Sequence, residues 1–154
     1  MNNTNNQHNL PKQQIDSVIA LYSNGHFQEA IDKIKALNED YPNVPVLFNL
    51  IGSCYKAQGR IDAALNMFKV AVNLKPDYAE AHNSLGNLFR ERGQLNHAVE
   101  SYHRAIEINP NSAELNNNLG NVFKDQGKLF NAVKSFEKAI IINPNIAEVY
   151  NNLG

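Results

Sequence analysis

Residues 79–112 read AEAHNSLGNLFRERGQLNHAVESYHRAIEINPNS, and residues 113–146 read AELNNNLGNVFKDQGKLFNAVKSFEKAIIINPNI. Laid over each other, the two stretches match Leu85 with Leu119, Gly86 with Gly120, Phe89 with Phe123, Gly93 with Gly127, Ala98 with Ala132 and Pro110 with Pro144. The same 34-residue step runs backwards through Gly25 and Gly59, Ala30 and Ala64, and Pro42 and Pro76, and forwards to Gly154. Independent columns that keep one period mark an array in which each unit buries its apolar face against its neighbours. The step divides the chain into units of about 11–44, 45–78, 79–112 and 113–146, followed by a short stretch, 147–154.

Each unit reads as two helices and no strand. Ile61, Ala64, Leu65, Phe68, Ala71 and Val72 fall on one helical stripe, as do Leu129, Ala132, Val133, Phe136, Ala139 and Ile140. Phe48, Ile51, Gly52 and Tyr55, then Leu85, Gly86, Leu88 and Phe89, make the corresponding stripe of the first helices. Gly25, Gly59, Gly93 and Gly127 stand where a first helix must stop and turn through a left-handed residue. Gly52, Gly86 and Gly120 lie mid-helix, where Gly costs about 1 kcal/mol relative to Ala, so they predict a close approach by a facing helix. Asp77, Asn111 and Asn145, each three residues before a Glu (Glu80, Glu114, Glu148), predict capping boxes.

Composition narrows the rest. The 154 residues are 43% hydrophobic with a formal net charge of −1, and no basic stripe tracks a phosphate backbone, which argues against nucleic acid. No window reaches the apolar length of a membrane span and the start carries no signal-like segment, so the expectation is a cytoplasmic protein with no membrane partner. Residues 1–11, rich in Asn and Gln, are expected to be a disordered tail before a helical domain over 12–154. The lone Cys54 shares a column with Ala20, Leu88 and Val122 and reads as core packing. His8, His26, His82, His97 and His103 have no zinc-like spacing, and no phosphate-binding loop or activated nucleophile occurs. No catalytic residue, metal or cofactor is expected.

These columns resemble the tetratricopeptide (TPR) repeat, a 34-residue helix-turn-helix unit with the pattern W-x2-L-G-x2-Y, A-x3-F, P. The second unit carries it in Phe48, Ile51, Gly52, Tyr55, Ala64, Phe68 and Pro76; the third in His82, Leu85, Gly86, Phe89, Ala98, Tyr102 and Pro110; the fourth in Asn116, Leu119, Gly120, Phe123, Ala132, Phe136 and Pro144. The first unit departs from it at Gln14, Ser17 and Val18, so its first helix is expected to pack less closely. Ala147–Gly154 looks like the opening of a fifth unit, which suggests a fragment of something longer.

The resemblance implies an all-α, right-handed superhelical solenoid that binds peptides or partner proteins in a concave groove lined by the first helices. Carried onto this sequence, the groove columns are Asn49, Asn83, Asn117 and Asn151; Ser53, Asn87 and Asn121; and Lys56, Arg90 and Lys124, with Asn118 and Asn152 beside them. Two readings of this row stand. A carboxamide both donates and accepts, so a ladder of them suits the backbone of an extended peptide; alternatively, the chain is Asn-rich and these are solvated faces. The cations either meet an acidic partner, partly neutralised by Glu91 and Asp125, or complement helix C-termini. Ile15, Ile19 and Tyr22 either make the first end of the groove apolar or, the reading the spacing favours slightly, slip register and pack inward.

The leading expectation is therefore a protein-protein interaction scaffold. A second is a substrate-delivery arm like that of the O-linked N-acetylglucosaminyltransferases, ahead of a glycosyltransferase or sulfotransferase domain. A third is end-to-end self-association.

Overall fold

A computed structural model describes residues 9–154. The described residues form nine α-helices and no strands, and they fall into two compact units divided after Leu74. The first unit holds α1 (Lys12–Ser23), α2 (Phe27–Asp40), α3 (Pro45–Ala57) and α4 (Ile61–Leu74). The second holds α5 (Ala79–Glu91), α6 (Leu95–Ile108), α7 (Ala113–Asp125), α8 (Leu129–Ile142) and α9 (Ala147–Leu153). Most of the tail read from the sequence, residues 1–8, lies outside the described residues.

Within each unit consecutive helices pack as antiparallel hairpins, and each later first helix also lies on the hairpin before it. In the first unit α3 contacts α1, α2 and α4; in the second α7 contacts α5, α6 and α8. A first helix therefore has apolar neighbours on both sides, and α7 has the most fully buried sequence of the nine, from Leu115 through Phe123 with only Asn118 less than buried.

The hairpin turns are set by glycine. At Gly93 (φ +72°) the Gly93 N–H donates to Arg90 O at 2.9 Å and the Gln94 N–H to Phe89 O at 2.8 Å, the paired bonds of a Schellman motif. The mid-helix glycines work through packing. A Cβ on Gly86 would lie 2.7 Å from the Tyr102 ring, and one on Gly120 would lie 2.5 Å from Phe136. The second helix thus lays its largest buried ring on the bare backbone of the first. Val18 stands in this column in the first hairpin, and the ring position sixteen residues on becomes Ile34; they are 0% and 2% exposed. At this one pair a larger first-helix residue is offset by a smaller second-helix one, but the looser packing expected of the first helix is seen: Val18 is the only buried residue of α1, whereas α3 buries five, and α1 meets α2 far more sparsely than α3 meets α4.

Three expectations need correction. The capping boxes do not form: α5 and α9 begin after Tyr78 and Ile146 with no side-chain cap, and α7 is capped by Ser112, whose Oγ accepts from the Leu115 N–H at 3.2 Å. The residue after each proline is spent in the turn, so Glu80, Glu114 and Glu148 fall in the first helical turn, where a carboxylate complements the helix dipole. Ile19 and Tyr22 do not turn inward; they are 43% and 37% exposed, and Val18 holds the core position of this helix. Leu129 and Val133, placed on the buried stripe of α8, are 65% and 43% exposed, whereas their counterparts Leu95 and Val99 pack against the core beneath α8.

Cys54 is fully buried, and burial raises its thiol from 9.0 to about 11. The fold retains a proton that the unfolded chain releases, so this contribution to stability is complete below pH 9.0 and is lost as pH rises toward about 11. The native protein should leave an aromatic disulfide reagent unreacted at about pH 8, with one thiol appearing only on unfolding; fast native labelling would contradict this burial.

Candidate binding face

The columns read as a groove lie on the first helices, and the structure brings those of the second unit together. Asn118 Nδ2 donates to Asn83 Oδ1 at 3.1 Å, Arg90 Nε to Asp125 Oδ2 at 2.6 Å, and Asn152 Nδ2 to Asn117 Oδ1 at 2.9 Å. Each bond spans 35 residues, one more than the repeat. The helix that follows therefore reaches back with the residue just after the one that reaches forward, so Asn117 faces α9 while Asn118 faces α5.

These bonds divide the row. Asn83 is engaged at both ends of its carboxamide, because its Nδ2 also donates to Glu114 Oε1 at 3.2 Å. Asn117 is 1% exposed. Lys124 Nζ donates to Asn152 O at 3.1 Å, on an exposed side chain. Asn121 is 9% exposed, whereas Asn151 is exposed. In the first unit Asn49, Ser53 and Lys56 lie half-buried on α3, with the Ser53 hydroxyl donating to Asn49 O at 3.0 Å and Asn49 Oδ1 buried without a hydrogen bond.

Asn87, Arg90, Glu91 and Asp125 line a cavity of about 280 Å³. Asn87 in its wall is tied to Tyr102, the one hydroxylated ring in a column otherwise filled by Ile34, Phe68 and Phe136. A buried phenol needs a polar partner, and the Tyr102 hydroxyl donates to Asn87 Oδ1 at 2.5 Å. That bond orients the carboxamide and leaves its amino group for the cavity. Burial pushes the Tyr102 hydroxyl far above its ordinary pKa, so it stays a protonated donor. With Arg90 already paired to Asp125, the cavity does not present the free cation expected for an acidic partner.

The Asn87–Tyr102 bond gives a direct test. Asn87→Ala should strand a buried hydroxyl and lower stability by about 1–3 kcal/mol, while Asn87→Ala with Tyr102→Phe should recover most of the loss. Equal melting of the two variants would show that the bond does not matter.

The histidines have local roles. His82 Nε2 bonds Pro76 O at 2.8 Å, His97 packs on Phe89 with ring centroids 5.2 Å apart, and His103 sets its edge to Phe123 at 6.4 Å. Among the described residues no group of three His, Cys, Asp or Glu could hold a metal ion, and no helix is long and apolar enough to cross a membrane.

Comparison with known proteins agrees with this architecture. The family model for the TPR repeat matches residues 52–89, 86–127 and 120–154. MamA aligns with a TM-score of 0.77 at 27% identity, over 87% of this chain and 78% of that one. TTC0263, a thermophilic TPR protein of Thermus thermophilus, aligns with a TM-score of 0.78 at 20% identity, over 88% of this chain and 75% of that one. Anaphase-promoting complex subunit 3 of Dictyostelium discoideum is 34% identical over 56 residues, which is 36% of this chain and only 6% of that much longer protein. The 34-residue step, the glycine-aromatic hairpins and the family match agree: the chain belongs to the TPR repeat family.

Proposed function

We propose that the chain is a protein-protein interaction scaffold, and that the first-helix face of α5 and α7 holds an extended segment of a partner protein. The observation that carries this reading is the 280 Å³ cavity of Asn87, Arg90, Glu91 and Asp125, in which polar groups converge on the same helices. Asn87 Nδ2 and the carboxylate oxygens supply donors and acceptors for a peptide backbone. Several such bonds, each contributing about 0.5–1.5 kcal/mol net, reach micromolar affinity. Asn83, Asn117, Asn118 and Asn152 support the face by fixing the hairpins, while Asn87, Arg90, Asn121, Lys124 and Asn151 are the contacts proposed in this unit; Asn49, Ser53 and Lys56 offer the same chemistry in the first. Membership of the TPR family and the likeness to a subunit of a protein complex support a protein partner.

Partner capture from a lysate tests this. Asn87→Ala, Tyr102→Phe and Arg90→Ala together should remove the captured proteins, with a melting temperature close to wild type. An unchanged partner set would reject this face as the binding site.

A further inference from the structure

The fourth repeat differs from its predecessor at several positions on the second helix, three of which fall together. A groove of about 270 Å³ is floored by Leu119 and Phe123 and rimmed by Phe130, Lys134 and Lys138. Phe130 is 81% exposed, in a column whose other members are Gln28, Asp62 and Asn96. Lys134 stands where α6 carries Glu100, and Asn131 where α6 carries His97. In the preceding repeat the imidazole of His97 packs on Phe89, the counterpart of Phe123. The shorter Asn131 leaves that space empty. The same stretch has thus lost its filling ring, gained an exposed aromatic and exchanged a carboxylate for an ammonium, while the packing of a ring on the mid-helix glycine is retained beneath it.

Folding explains none of these three changes. An uncovered aromatic beside a hollow, with a polar rim, is the make-up of an interaction patch. The described lining holds Lys134, Lys138 and the His103 ring and no carboxylate, so its potential favours anions. We propose that this groove is a second docking site, for an acidic segment of a partner protein that seats one apolar side chain between Phe130 and Phe123 while flanking carboxylates meet Lys134 and Lys138. It is independent of the first-helix face.

The test uses fluorescein-labelled peptides read by polarisation: one with a single phenylalanine among glutamates and aspartates, one with that phenylalanine replaced by alanine, and one flanked by lysines. The acidic phenylalanine peptide should bind at least about tenfold tighter than either control and weaken as salt is added. Phe130→Asn and Lys134→Glu should each cost about tenfold or more without lowering the melting temperature, since Asn96 and Glu100 occupy the counterpart positions. Arg90→Ala should leave this binding unchanged. Absence of binding, equal binding of the three peptides, or loss with Arg90→Ala instead of Phe130→Asn would overturn the proposal. So would dimerisation of the chain abolished by Phe130→Asn, which would assign the groove to a second copy.

Discussion

Gly120→Val should destabilise the second unit by about 1–3 kcal/mol or more, and Phe136→Ile made with it should restore much of that loss. A methyl on Gly120 already falls 2.5 Å from a ring that is 2% exposed, and that ring has no free space into which to turn. Valine adds further bulk and a stiff side-chain torsion within a helix. Alone, Phe136→Ile leaves a hollow and also destabilises. Together the two reproduce the pairing already present at Val18 and Ile34, which is why coupling is expected instead of summed losses. At roughly 2–4 °C per kcal/mol for a chain of this size, thermal unfolding resolves the cycle. Additive losses would mean that glycine is not there to admit the ring.

The second large effect separates members of one sequence column. Asn117→Ala should cost about 1–3 kcal/mol, because it removes a buried acceptor and leaves the Asn152 carboxamide without its partner. Asn151→Ala, one repeat on and exposed, should change stability by no more than about 0.5 kcal/mol. The contrast tests whether the carboxamide row is uniform solvated surface or is divided between holding the hairpins and facing a partner. Denaturant unfolding of the two variants suffices. Equal effects would return the row to a single solvated face.

The period made the fold legible. Gly93 at a turn and Gly86 under a ring follow from where each falls in a helical pattern, and both readings match the structure. The cap residues did not follow, because a proline turn can consume one or two residues before a helix begins and the spacing to Glu80 or Glu114 is compatible with either. The bonds between hairpins were hidden for a geometric reason. Columns are read at 34 residues, but neighbouring first helices meet with an offset of one, at 35, so Asn83 with Asn118 and Asn117 with Asn152 never share a column. The signal was still present, since Asn118 and Asn152 follow Leu50 and Ser84 in theirs. The polarity of the cavity was partly readable, in that Glu91 and Asp125 flank Arg90 and Lys124, but the role of Tyr102 in orienting Asn87 needed coordinates. The outer groove was readable only from the change of Asn96 to Phe130 and of Glu100 to Lys134, two substitutions outside the apolar stripes that set the fold.

Selective labelling of asparagine side chains, with each carboxamide assigned by substitution, tests the central claim most directly when spectra are recorded with and without a captured partner. The account predicts that the signals of Asn87 and Asn121 move while those of Asn117 and Asn152, held between hairpins, stay in place. Movement confined to second-helix asparagines such as Asn96 and Asn131, with Asn87 and Asn121 unmoved, would contradict it.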